Sequence, residues 1–234
     1  MFVALGRPGL EQLIEALDDP GTPPAIRRHL PRTICRFRDS TAAAALVNRL
    51  PHEPDSRTEL KLLRALGRMR ADHPTLPIDA APIRAYIRRA TRDAVRYAIF
   101  ADHLAAHPIA SPPGALIAEM LADQRRLAIE HVFRALGILH PESGVRSAFD
   151  AFGTDDDARR VAAREIVASL LPADVRGPLL AVLDDLPPAV RRAQTAELAP
   201  GPFPTDEAYR AALLADPSES LRFMVAGAQA VARG

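Results

Sequence analysis

His103 and His107 stand four residues apart, with Asp102 beside the first. On a helix that spacing sets two imidazoles on one face, where they could share a metal ion. A metalloprotease-type H-E-x-x-H also needs a glutamate after the first histidine, and Leu104 stands there. No third ligand is fixed by spacing. His107 precedes Pro108, a position where an imidazole suits a helix C-terminus. A structural pair is the simpler reading, and no metal is expected.

The other reactive residues are as isolated. His52-Glu53 is one acid–histidine pair in a turn between Pro51 and Pro54. Cys35 is the only cysteine, which excludes an intrachain disulfide and any multi-cysteine zinc site. It lies in IRRHLPRTICRF among arginines that could lower a thiol pKa, yet no histidine is spaced to activate it. Gly6, Gly9 and Gly67 are single glycines, so no phosphate loop is present. Asp155, Asp156 and Asp157 lack the EF-hand pattern and its closing glutamate, and suit the start of a helix. With no convergent catalytic set, the chain reads as non-enzymatic and without a cofactor.

One surface pattern is sharper. Arg84, Arg88, Arg92 and Arg96 recur every fourth residue, with Arg89 alongside. On a helix they form one stripe, a candidate interaction surface for phosphates, acidic lipid or an acidic protein. The bland alternative is a solvated face paired with Asp93 and Asp102.

The elements that position these residues read as helices. The chain has 234 residues, 48% of them hydrophobic and 25% charged, which is ordinary for a globular protein and excludes wholesale disorder. No apolar run reaches the ~18 residues of a membrane span, so no membrane insertion of this segment is expected. The start MFVALGRPGLEQ lacks a basic leader region. A cytoplasmic location follows as the expectation. Net charge is +1, so no global field points to nucleic acid. Residues 1–110 hold 17 basic and 12 acidic side chains, and residues 111–234 hold 13 and 17. Lys61 is the only lysine; the arginine bias is also what a biased genome would give.

Apolar positions follow the 3.6-residue period: Leu10, Leu13, Ile14 and Leu17, then Leu60, Leu63 and Leu66. Twenty-two prolines fall between such segments, as stops and starts of short helices. No run alternates as a strand would. Helices are expected over 8–18 and 56–66, with two long ones near 82–107 and 114–139. The long pair should form an antiparallel hairpin burying Tyr86, Ile87, Tyr97, Leu127 and Phe133. Leu116, Met120, Val132, Leu136 and Leu139 complete the apolar set of the second helix.

A repeat runs through the short helices. An acidic–proline corner precedes an arginine and an apolar helix: Asp18-Asp19-Pro20 before Arg27, Pro54-Asp55 before Arg57, Asp155 to Asp157 before Arg159, Asp184-Asp185 before Arg191, and Asp216-Pro217 before Arg222. The spacings are 30 residues from Arg27 to Arg57, 32 from Arg159 to Arg191, and 31 from Arg191 to Arg222. The acid caps the helix, proline fits its first turn, and the arginine can reach back to the acid or to the next repeat's. One helix pair cannot bury its own face, so such units stack.

This pattern resembles the short bacterial form of the HEAT-like α-solenoid family, over roughly residues 4–70 and 143–231. The resemblance implies an all-α superhelix with the long hairpin inserted, in one domain: repeats over 1–75, hairpin over 76–141, repeats over 142–234. The order of repeats, a long helix ending in IEHVFRALGILHP (Ile129 to Pro141), and repeats again is similar to a bacterial soluble region. That region is associated with ATP/ADP-translocase-like or major-facilitator membrane domains and with cyclic-nucleotide-binding domains. It implies a non-catalytic scaffold or protein-interaction module, a regulatory or assembly region of a larger protein, tethered to a membrane only through another domain. Some HEAT-like enzymes bind iron through several His-Glu pairs; the single pair here departs from that. Two alternatives stay open: nucleic-acid binding through the arginine stripe, as in HEAT-like DNA glycosylases, and a bilin-lyase-like subunit. Trp is absent and aromatics are 5%, which disfavours base stacking.

The repeats are also cut at both ends. Phe2, Val3 and Leu5 read as the end of a helix whose start is missing, and Phe223, Met224 and Val225 as a last repeat without its second helix. These apolar residues are candidate open ends, and the expectation is a fragment whose first partner is the rest of its own chain.

Overall fold

The computed structural model describes residues 6–108, 112–184 and 186–233. Among them there is no strand. The helices are α1 (Gly6–Asp18), α2 (Pro24–Arg27), α3 (Leu30–Ile34), α4 (Ser40–Arg49), α5 (Ser56–Asp72), α6 (Ala80–Ala106) and α7 (Pro112–Leu139). They continue with α8 (Val145–Ala151), α9 (Asp157–Leu170), α10 (Ala173–Leu183), α11 (Pro188–Gln194), α12 (Asp206–Leu214) and α13 (Glu219–Arg233). The protein is all-α, and no helix among the described residues is long and apolar enough to cross a membrane.

Helix starts follow the acidic residues. Asp39 accepts from the Ala42 amide at 2.7 Å, Asp55 from Thr58 at 3.0 Å and Asp156 from Arg159 at 3.1 Å. Each satisfies an amide that the first turn leaves unpaired. Thr205 does the same for α12. Pro178 lies inside α10, against the expectation that prolines only punctuate.

The chain forms two compact units. Unit 1 is Met1–Arg89 with Glu130–Pro172. There α1 packs on α3 and α4, α3 and α4 pack on α5, and α8 packs on α9. Leu10, Leu17, Leu46, Leu62, Leu66, Ile83, Ile87, Val132 and Leu136 are buried. Unit 2 is Ala90–Ile129 with Ala173–Gly234. Its core joins Tyr97, Phe100 and Leu104 of α6 to Ile117 and Leu121 of α7, Tyr209 and Leu213 of α12, and Leu221 and Val225 of α13.

In unit 1 the start of α6 meets the end of α7, Tyr86 beside His131. In unit 2 the end of α6 clusters with the start of α7. Tyr86, Ile87, Tyr97 and Phe133 are buried as expected, but Leu127 is only half-buried and Ala128 takes the inner place. At the start of α7, Ile117 and Leu121 are buried and Leu116 is exposed. The sequence is apolar at 116 and 117 and again at 120 and 121, so periodicity alone could not choose the face.

Candidate functional site

Two of the five arginine corners are built alike. Pro23-Pro24-Ala25-Ile26-Arg27-Arg28 recurs as Pro187-Pro188-Ala189-Val190-Arg191-Arg192. Pro23 (φ −54°, ψ 138°) and Pro187 (φ −55°, ψ 142°) precede the helices with the same backbone, and a proline opens each helix. Arg27 is 5% exposed and Arg191 6%. Arg27 donates to the Thr22 carbonyl at 2.8 Å, and Arg191 to the Leu186 carbonyl at 3.0 Å, each five residues back. Arg27 also reaches the carbonyls of Asp19 and Pro20. Each then meets a carboxylate of its own unit, the buried Glu53 for Arg27 and the half-buried Asp102 for Arg191. A guanidinium offers five donors in a fixed fork, so one side chain holds both the incoming loop and a neighbouring element.

In unit 1 the corner links to the next repeat. Arg28 grips Asp55 with two bonds, 2.8 Å and 3.1 Å, while Asp55 caps α5. Burial would raise the Asp55 pKa, but Arg28 and Thr58 outweigh it and hold the carboxyl below its ordinary value. Glu53, passed over as half of a His-Glu pair, is buried between Arg27 and Arg49, while His52 is exposed.

The other three arginines differ. Arg57, Arg159 and Arg222 are exposed. Arg57 and Arg159 fall earlier in their first turns and follow no diproline. Asp216, before Arg222, is instead filled by Tyr97 at 3.0 Å and Arg96 at 2.9 Å.

The arginine stripe is thereby reduced. Arg96 is bound to Asp93 and Asp216, and Arg89 to Glu59, both half-buried. Arg84, Arg88 and Arg92 stay exposed. Asp93 lies on α6 itself and was within reach by spacing, whereas Glu59 and Asp216 come from elsewhere in the chain and could not be read from α6 alone. Of the candidate ends, Phe2, Val3 and Leu5 lie outside the described residues. Phe223 is 80% exposed, but Val225 is buried and Met224 packs partly against the same cluster. α13 turns one face inward onto α12, so these three are not one open edge.

The strongest titratable cluster was not singled out from sequence. In unit 1 the Tyr86 hydroxyl lies 2.8 Å from His131 Nδ1 and donates toward Glu59 at 3.3 Å, and Arg89 binds the same carboxylate. One consistent proton order runs from His131 Nδ1–H to Tyr86, then to Glu59, leaving the unpartnered His131 Nε2 as a bare acceptor. Burial first, then Arg134, Arg89 and Arg64 against Glu130, push His131 down to about 4. Two surface cavities of unit 1, of about 200 and 410 Å³, are lined by other residues. The relay ties α5, α6 and α7 together within unit 1.

That network sets a pH dependence. Unfolded, His131 titrates near ~6.5. Its folded pKa is depressed, so the unfolded chain binds more protons between the two values and stability falls as pH drops from about 6.5 to about 4. The loss should approach roughly 3 kcal/mol. Imidazole NMR should show His131 titrating near 4, and a midpoint above ~6 would contradict the burial argument.

His103 and His107 stack at 4.5 Å, and His103 packs on Phe203 and Tyr209. No three metal-ligating residues come together among the described residues. Cys35 is buried, donates to the Arg32 carbonyl, and has its pKa raised by burial over the effect of the nearby arginines. No protein family, characterised protein or solved structure matches this chain.

Proposed function

We propose that this chain is a non-catalytic helical-repeat module of HEAT-like type, an α-solenoid with an inserted hairpin, that serves as a scaffold for protein interaction. The observation that carries the reading is the arginine-anchored corner built in each unit. The Arg28–Asp55 clamp between successive corners adds the kind of link that a stacked repeat needs. The titratable groups with the strongest mutual contacts are spent on packing. The surface meanwhile leaves Phe223, a large aromatic, exposed. Exposed aromatic side chains are over-represented at protein interfaces.

A photo-crosslinking phenylalanine analogue at position 223, introduced in cells that make the protein, tests this. One defined protein adduct is expected from position 223 and none from the exposed control position Glu165. Equal labelling at both positions, or no adduct at either, would contradict the module reading.

A further inference from the structure

One cavity of unit 1 is lined by basic side chains and by no acidic one. It holds about 200 Å³, between the end of α5, the end of α7 and the start of α8. Arg70, His140 and Arg146 are its ionisable lining residues. Arg70 and His140 are half-buried, and Arg146 is exposed. Burial first, and then the charge of Arg84 on α6, hold the His140 pKa below its ordinary value. Among the described residues Arg70, Arg84 and Arg146 form no ion pair. Asp72, two residues on from Arg70, pairs with Arg38 instead, and Glu142, in the turn after α7, is exposed.

Arg70 is held in place. Its Nε donates to the Ile138 carbonyl at 3.2 Å, and its Nη1 to those of Pro74 at 2.7 Å and Leu76 at 3.0 Å. These acceptors are neutral, so they fix the fork without cancelling its charge. Arg27, Arg89, Arg96 and Arg191 each meet a carboxylate instead. Cations that share one recess repel each other, and an anion between them relieves the repulsion. The recess is also kept clear. Gly67 in α5 and Gly137 in α7 both line it, and a β-carbon at either would meet nothing within 4 Å. Glycine inside a helix is less stable than alanine, and close packing does not account for it at these two positions.

We propose that this cavity binds the phosphoryl group of a small molecule, as free phosphate or a phosphate monoester, with Arg70, His140 and Arg146 as its contacts. Two guanidinium forks in one recess suit the several oxygens and double charge of a phosphoryl group better than a single carboxylate. The volume falls below the ~300–1,000 Å³ of drug-sized pockets, which limits the rest of the molecule to a few carbons. The site goes beyond the interaction-module reading and does not depend on it.

Isothermal titration calorimetry of the full chain with inorganic phosphate, glycerol 3-phosphate and acetate tests this. One site per chain is expected, with Kd below ~1 mM for at least one of the two phosphates and acetate at least ~tenfold weaker. A tighter ester assigns the site to monoesters, and a tighter free ion to phosphate itself. Arg146→Gln removes an exposed side chain, so it should weaken binding at least ~tenfold with no change in thermal midpoint. Gly137→Leu should abolish binding by filling the recess. Arg57→Gln, at an exposed arginine elsewhere in unit 1, should bind as the wild type does. In imidazole NMR, bound phosphate should raise the His140 midpoint, because a nearby negative charge favours the imidazolium. No saturable binding up to ~10 mM overturns the proposal. So do equal affinity for acetate, an equal loss in Arg57→Gln, full binding by Arg146→Gln, or a His140 midpoint that phosphate does not move. The Phe223 crosslink reads the module separately, so either reading can fail alone.

Discussion

Arg191→Met should destabilise the protein by about 3–5 kcal/mol, the cost of breaking a buried ion pair from one side. Asp102 would be left with its side chain 17% exposed and without a cationic partner. Its Oδ2 already has no hydrogen-bond partner, so the carboxylate has little to fall back on. The Leu186 carbonyl would lose its donor as well. Adding Asp102→Leu should restore much of the loss, because a buried pair replaced on both sides by apolar groups is often neutral. Arg27→Met should cost less, about 1–3 kcal/mol, since Glu53 keeps Arg49 at 3.0 Å. Urea unfolding measures all three. A loss under ~1 kcal/mol for Arg191→Met would place that side chain in water.

Phe133→Ala should cost about 3–5 kcal/mol, the transfer and cavity loss of a buried aromatic. Phe133 is 3% exposed, with ring centroids 5.1 Å from Phe149 and 5.8 Å from Phe152. It ties the end of α7 to α8 and the turn after it within unit 1. Leu116→Ala on the same helix should stay within ~0.5 kcal/mol, as exposed substitutions do. Equal losses at the two positions would mean that α7 is rotated from the face described.

Those two residues also mark how far the sequence could be read. Phe133 sits in Val132-Phe133 with Leu136 one turn on, so its inward face was plain from spacing. Near Leu116 the doubled apolar positions left two faces equally good, and contact with α12 and α13 selects Ile117 and Leu121. Helix starts were legible because a cap is local: Asp55 and Asp156 act within three residues. The arginine corner was half legible. Its acid, proline and arginine are neighbours in sequence, but Glu53 and Asp102 come from 26 and 89 residues away. The distant Glu59 likewise removed Arg89 from the stripe, and the distant Asp216 joined the local Asp93 in removing Arg96. The Tyr86–His131–Glu59 relay joins three helices, and no spacing within one helix announces it.

One corner is built twice, at Arg27 and Arg191, while its sequence counterparts at Arg57, Arg159 and Arg222 are not. Guanidinium NMR tests this most directly, by measuring Nη exchange and Cζ–Nε rotation for assigned arginines. Arg27 and Arg191 should exchange and rotate at least ~tenfold slower than Arg57, Arg159 and Arg222, because each is nearly buried and held by at least one loop carbonyl and a carboxylate. If all five arginines exchange alike, the anchored corner does not exist in solution. The repeat reading and the surfaces it presents would then fall with it.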